Sequence, residues 1–320
     1  MRRIGIMTSG GDSPGMNAAI RAAVRCGIEA GFEVYGIFRG YEGLLDGDIK
    51  QLDRSSVGDI LQRGGTMLKT ARSERFRTPE GQEKAVQMLE TFGIEGLIVI
   101  GGDGSLTGGL ALSKRGIKVM GLPGTIDNDL AYTDYTIGFD TAVTTVLEAI
   151  TKIRDTSSSH ERTTIIEVMG RYCGDIALYA GLAGGAEAVL VPEIETNLNE
   201  VCQRIVMGAN RGKQHSLIIK AEGVNISSQD LTEAIGRKTG RDTKLVVLSY
   251  LQRGGSPTLR DRLLATQCAA KAIELLKLGS DSKAIGTVNG AIMDMDLEEA
   301  LNQEREVNRE IFNLIRVLSK

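Results

Sequence analysis

Short apolar runs end again and again in glycine-rich polar turns, and a helical pattern follows each turn. "IGIM" (4–7) runs into "TSGGDSPG" and then into "MNAAIRAAVRCGIEAG". "GLIVIGGDG" (96–104) runs into "SLTGGLALSKRG", and "VMGL" (119–122) into "PGTIDND". "TIIEVMGRYCGD" (164–175), "HSLIIKAEGV" (215–224) and "KLVVLSYLQRGG" (244–255) repeat the form. Strands this short and this uniformly apolar, alternating with helices, predict parallel sheets covered on both faces. In such sheets ligands bind outside the carboxyl ends of the strands, where the glycines of this chain gather.

Residues 140–155, "DTAVTTVLEAITKIRD", place Val143, Val146, Leu147, Ile150 and Ile153 on one face of a predicted helix, which Asp140 can cap. The polar "TSSSHERT" (156–163) predicts a loop, and residues 297–318 predict one long charged helix. No repeat or low-complexity tract interrupts the pattern, and no Pro/Ser linker marks a boundary. The strand count fits two α/β domains, and 320 residues suffice for both.

Composition narrows the functions. Lys plus Arg number 38 against 41 acids, a net charge of -3, so no basic field invites nucleic acid or an anionic membrane. Cys26, Cys173, Cys202 and Cys268 lie far apart, which argues against a zinc site or a disulfide framework and for a reducing compartment. Two histidines, His160 and His215, cannot build a His-rich metal site. No apolar run has the length of a signal peptide core or a membrane span, so the expected compartment is the cytoplasm.

Three turns can carry chemistry. "TSGGDSPG" sets Gly10, Gly11 and Ser13 between a strand and a helix, where backbone amides suit a phosphate, although a tight structural turn reads the same way. In "GGDGS" (101–105), glycines let backbone approach a polyphosphate, and a strand-end carboxylate can serve Mg²⁺. "PGTIDND" (123–129) crowds Asp127, Asn128 and Asp129 together, as either an Asx-rich turn or a catalytic acid cluster.

Taken together, "GGDGS", "PGTIDND", "MGRYCGD" and "QRGGSP" resemble the bacterial 6-phosphofructokinases, in order and with family spacing from Arg3 to near residue 290. The resemblance implies two doubly wound, Rossmann-like α/β domains with mainly parallel sheets and an active site in the crevice between them. It implies an ATP-binding domain of residues 1–138 plus about 256–304, and a fructose 6-phosphate-binding domain of 139–255 plus about 305–320. The implied reaction moves a phosphoryl group from Mg-ATP to the 1-hydroxyl of fructose 6-phosphate. Asp127 is then the base, Asp129 organises the site, Asp103 serves Mg²⁺ and Thr125 contacts the phosphoryl group, with Ile126 beside it. Arg72, Ser73, Gly11, Gly102, Gly104 and Ser105 serve ATP. Arg171 steadies transition-state charge, Met169 and Gly170 line the sugar site, and Glu222 binds sugar hydroxyls. Arg253, Lys244 and Tyr250 fall in the sugar-phosphate pocket, and Arg162 reaches a neighbouring subunit's site.

The same resemblance implies an effector site for ADP or phosphoenolpyruvate, made of Arg21, Arg25, Arg54, Asp59, Arg154, Gly185, Glu187, Arg211, Lys213 and His215, and a homotetramer. Four residues depart from the usual family pattern. Lys244 stands for Arg, Tyr250 for His, Ser249 for glycine and Leu106 for an aromatic residue. A pyrophosphate-dependent relative would carry Asp and Lys at Gly104 and Gly124; small residues there leave room for a nucleotide. A tagatose 6-phosphate kinase and a non-catalytic regulatory paralogue stay open as alternatives.

Overall fold

The computed structural model describes residues 1–319. The strands are β1 (Arg3–Thr8), β2 (Glu33–Ile37), β3 (Ile49–Leu52), β4 (Gly96–Gly101), β5 (Lys118–Thr125), β6 (Ile137–Gly138), β7 (Thr163–Val168), β8 (Ala188–Leu190), β9 (Ser216–Ala221), β10 (Thr243–Val247), β11 (Lys283–Val288) and β12 (Ala291–Asp296). The helices are α1 (Met16–Glu29), α2 (Gly40–Asp46), α3 (Pro79–Thr91), α4 (Asp103–Ser113), α5 (Phe139–Ser159), α6 (Asp175–Ala183), α7 (Leu198–Asn210), α8 (Ser228–Thr239), α9 (Leu259–Leu278), α10 (Leu297–Leu301) and α11 (Arg309–Leu318). The chain divides into two compact units, Met1–Thr141 with Arg253–Arg305, and Ala142–Gln252 with Glu306–Lys320.

The first unit is built on the sheet β12-β11-β5-β4-β1-β2-β3, with β6 beside β5. Among the described residues, only β2–β3 and β11–β12 pair antiparallel. From β3 to β11 the order is that of a doubly wound dinucleotide-type fold, and its direction reverses between β1 and β4. All six residues of β4 are buried, which explains its unbroken apolar run. α1 packs on α9 through small side chains. Ala18, Ala19 and Ala23 face a core that includes Ala265, Ala269 and Ala272, all fully buried. A larger side chain at these alanines would overpack the core, typically at about 1–3 kcal/mol.

The second unit is a four-stranded parallel sheet, β10-β7-β9-β8. One charge lies inside it. Lys220 of β9 is 1% exposed and meets Glu167 of β7 at 3.4 Å, its neighbour in register. The Ser228 hydroxyl donates to the same carboxylate.

Four local expectations need correction. Pro123–Thr125 continue β5 rather than opening a loop, because Gly101 pairs with Pro123 and β6 pairs with Gly124 and Thr125. α5 runs on through Ser159; there Ser157 Oγ shares a 2.6 Å hydrogen bond with Thr164 Oγ1, and Ser159 Oγ donates to Asp155 O at 2.9 Å. Asp140 lies within the first turn of α5. It is the buried Asp261 carboxylate that accepts from the N–H groups of Gly138 (2.9 Å) and Thr141 (2.8 Å). The closing helix is two helices, α10 and α11. Arg305 between them donates to Leu130 O (3.2 Å) and Thr133 O (3.3 Å), and Asn308 caps α11 by accepting from Ile311 N. Among the described residues no helix is long and apolar enough to cross a membrane.

Candidate active site

In the first unit, the carboxyl ends of β1, β4 and β5 lie side by side, so "TSGGDSPG", "GGDGS" and "PGTIDND" leave one edge of the sheet together. This is where the sheet order reverses, the place at which such folds bind ligands. The loops are tied closely. Ser9 N donates to Ile100 O at 3.1 Å. A Cβ on Gly101 would stand 2.6 Å from Ser105 Cβ and 2.7 Å from Ser9 O, so that glycine is required by packing. Ser105 itself is buried, and its carbonyl accepts from the Tyr41 hydroxyl at 2.5 Å.

The trio in "PGTIDND" divides its labour. Asn128 is fully buried at φ 54, a left-handed backbone that asparagine tolerates better than most residues. Its Oδ1 accepts from Thr136 N at 2.9 Å, and Thr136 Oγ1 donates to Thr125 O at 2.6 Å. Asn128 is therefore the turn former, and it sets Asp127 and Asp129 on either side. Asp127 N donates to Thr125 Oγ1 at 3.2 Å, which joins two candidate site residues directly. Ile126 is fully buried, so only its backbone can face a ligand.

Asp129 is the perturbed acid. Burial, then the charge of Asp103, pushes its carboxyl above the usual range, against the pull of Arg305. Its Oδ1 is buried without a hydrogen-bond partner among the described residues. Asp103, exposed in the first turn of α4, completes a pair of hard oxygen donors. Magnesium is commonly held by one or two carboxylates with waters and substrate phosphates, so this donor set fits Mg²⁺.

Around this edge, Arg253 donates from Nη1 to Asp12 O at 3.2 Å and lies against Gly11. Arg72 is exposed. Its neighbour Ser73 donates to Glu42 Oε2 at 2.5 Å, and Arg75 binds Glu42 Oε1 as well, so the segment is anchored beside Arg72. Gly102 faces Thr125, and Gly104 faces open space. Arg21 and Arg25 lie on α1 four residues apart, and Arg54 pairs with Glu29 at the end of the same helix (2.5 Å). Asp59 stands at φ 57.

In the second unit, Met169, Gly170 and Arg171 leave the carboxyl end of β7, and Glu222 leaves that of β9. Met169 N donates to Gln252 Oε1 at 3.1 Å, and Gly223 N to Gly170 O at 3.2 Å. The Arg171 guanidinium lies 5.1 Å from the Tyr172 ring centroid. Tyr250, 78% exposed, follows β10 in the 3-10 turn Ser249–Arg253. Ser249 holds φ 44, a strained geometry where the family pattern has glycine. Lys244 does not join Tyr250. It lies at the opposite end of β10, and Arg162 lies at the opposite end of β7 from Met169. Strands rise roughly 3.3 Å per residue, so the six residues of β7 separate Arg162 from Arg171 by more than one side chain can span.

Five of the effector candidates come together in this unit. Arg154 donates to Gly184 O and reaches Gly185 O at 3.5 Å. Glu187, 2% exposed, is ion-paired with Lys213 and accepts from Leu217 N. Burial first, then the cations Arg154 and Lys213, lowers the pKa of His215. Arg211 closes α7 nearby in sequence. Glu42 and Asp242, which no motif singles out, contact the candidate site residues Ser73, Arg162 and Lys244, and Asp261 holds the start of α5 through Gly138 and Thr141.

The chain matches the family described as "Phosphofructokinase" over residues 3–276. It is 57% identical over 320 residues to a protein of Clostridium botulinum named "ATP-dependent 6-phosphofructokinase", with both chains covered in full. A solved phosphofructokinase of Saccharomyces cerevisiae is 36% identical, with a TM-score of 0.89 over 100% of this chain and 48% of that one. A Pichia pastoris phosphofructokinase in the T-state, also 36% identical, gives 0.91 over 99% of this chain and 39% of that one. The chain thus spans about half the yeast protein's length or less.

Proposed function

This chain belongs to the phosphofructokinase family, and on that premise we propose that it transfers the γ-phosphoryl group of ATP to the 1-hydroxyl of D-fructose 6-phosphate, giving fructose 1,6-bisphosphate and ADP. The observation that carries the reading is the set of three loops at the switch point of the first unit's sheet, with Asp127 fixed against Thr125. Full-length identity to a relative named for this reaction supports it.

Phosphoryl transfer asks the protein for in-line positioning, charge neutralisation and an acceptor for the hydroxyl proton. Asp127 takes that proton. Arg72, Arg171 and the amide of Gly11 offset the negative charge on the oxygens, and Thr125 orients the transferred group. Mg²⁺, held through Asp103 beside Asp129, supplies further neutralisation of ATP. Met169, Gly170, Glu222, Tyr250 and Arg253 bind the sugar phosphate. ATP is favoured over pyrophosphate as donor because the space beside Gly104 is open.

The reading includes a homotetramer in the cytoplasm. Arg162 and Lys244 stand at the wrong ends of their own strands for the sugar site that Met169 and Arg171 line, so they serve a second copy of the chain. Arg21, Arg25, Arg54, Asp59, Arg154, Gly185, Glu187, Arg211, Lys213 and His215 bind ADP or phosphoenolpyruvate as effectors. A coupled assay for ATP-dependent fructose 1,6-bisphosphate formation tests the reaction, and turnover with pyrophosphate in place of ATP would overturn the choice of donor. Arg25→Ala tests the effector site: sensitivity to ADP and phosphoenolpyruvate should disappear while the maximal rate stays.

A further inference from the structure

Three charged side chains share one face at the start of two neighbouring strands. Arg162 precedes β7, and Asp242 precedes β10. The strands run parallel, with Thr243 opposite Thr163 and Lys244 opposite Thr164. Their backbones are locked at this end. Thr163 N donates to Asp242 O at 3.0 Å, and Ser216 N donates to Arg162 O at 3.1 Å. Asp242 and Lys244 are two residues apart, so an extended chain turns both to the same side. Asp242 Oδ2 accepts from Arg162 Nε at 2.7 Å, and its Oδ1 meets Lys244 Nζ at 2.9 Å.

We infer that Asp242 is a positioning residue that holds Arg162 and Lys244 as one two-cation grip for the phosphate of the sugar substrate. The inference rests on the reading above, in which both cations serve that phosphate. The geometry leaves the grip usable. Asp242 engages Arg162 through Nε, so the paired Nη groups keep their fork for a phosphate, and Lys244 has three N–H donors. Without the carboxylate the two cations would repel each other and wander. The lowered carboxyl pKa of Asp242, caused first by Lys244, accords with a residue that stays charged to do this.

A carboxylate beside a phosphate site also repels the phosphate, so magnitudes decide the sign. Screened repulsion from one exposed charge several ångströms away weakens binding roughly threefold at most. Ordering two long side chains in advance strengthens it by roughly two- to tenfold for each one. Positioning therefore wins. The three side chains are also half exposed, so their pairing contributes little to folding, and function can be separated from stability.

The test uses the full-length enzyme. Asp242→Asn should raise the half-saturating fructose 6-phosphate concentration about fivefold or more, with kcat within about twofold and ATP saturation unchanged. Its Tm should move by no more than about 2 °C. Asp242→Glu should restore most of the affinity. In Lys244→Met, adding Asp242→Asn should weaken saturation by less than it does in the parent, since the two residues act through one grip. An unchanged or lowered half-saturation in Asp242→Asn, or effects of the two substitutions that simply multiply, overturns the inference. A parent enzyme with no ATP-dependent turnover of fructose 6-phosphate overturns the reading of function and the inference together; an active parent with an indifferent Asp242→Asn overturns the inference alone.

Discussion

The guanidinium of Arg253 lies against Gly11: its Nη1 donates to Asp12 O at 3.2 Å, and a methyl group on Gly11 would stand 2.4 Å from that nitrogen. The obstacle is the far end of a flexible side chain, so Gly11→Ala should fold with a stability change within about 0.5 kcal/mol. It should nonetheless push Arg253 off the loop. Misplacing a group at a reacting centre by about 1 Å can cost 10²-fold, so kcat/KM should fall by about 10- to 100-fold. Parallel steady-state kinetics and thermal melts check both halves, and a fully active Gly11→Ala enzyme would show that the contact is incidental.

Asp127→Ser should lower kcat by about 10²–10⁴-fold, the usual contribution of a positioned general base. Fructose 6-phosphate binding, measured by calorimetry, should stay nearly intact because Asn128 and Thr136 still form the turn. A variant that keeps more than a tenth of the parent rate removes Asp127 from the role of base.

Gly104 and Gly124 should respond differently to substitution. Gly104 has open space where a side chain would go. Gly124 has Ile100 Cγ2 at 2.9 Å, and Gly101 N and Met16 Cε both at 3.1 Å. Gly104→Asp should fold normally and lose ATP turnover by about tenfold or more, as a carboxylate is placed against the nucleotide phosphates. Gly124→Lys should lose about 1–3 kcal/mol or more of stability, because Ile100, the backbone of Gly101 and Met16 crowd its Cβ. Equal melting temperatures for the two variants contradict this division.

Asp129 gives a pH prediction. Its folded-state pKa is raised, first by burial. A raised acid binds protons more tightly when folded than when unfolded. Its contribution to stability is therefore greatest below the ordinary Asp value of about 3.9, and falls as pH rises through the folded value. Asp129→Asn, neutral at every pH, should gain stability relative to the parent over that window and keep the gain at neutral pH. Melting curves without Mg²⁺ from about pH 3.5 to 7.5 would measure it. The activity of Asp129→Asn should drop, since the site loses a hard oxygen donor and a charge. A stability difference that does not vary with pH would show that Asp129 titrates as an ordinary surface acid.

Much of this was readable from periodicity and spacing. Six apolar runs became strands, and the glycine-rich turns fell at their carboxyl ends, because buried parallel strands have no polar face to confuse the pattern. Pro123 misled because a proline after an apolar run reads as a stop, whereas here β6 extends the strand past it. The break between α10 and α11 was hidden because Arg305 is held by carbonyls of a loop far away in sequence. The resemblance puts Lys244 and Tyr250 in one sugar-phosphate pocket, but six positions of sequence do not show that β10 sets them at its opposite ends within one copy of the chain. Asp261 and Asp242 act through partners far away in sequence, backbone N–H groups for the one and Arg162 for the other, whose approach no local pattern encodes.

The interleaving of the two units has a consequence for synthesis. α9, which covers α1, and β11, which extends the sheet beyond β5, both belong to the last quarter of the chain. Residues 1–141 emerge from the ribosome first, yet the outer edge of β5 and the apolar face of α1 then lack their partners. The strands β7 to β10, by contrast, arrive in one continuous stretch. The middle of the chain is thus the first to possess a full set of sheet neighbours, while the N-terminal residues wait with exposed apolar surface, the circumstance in which nascent chains most need chaperones.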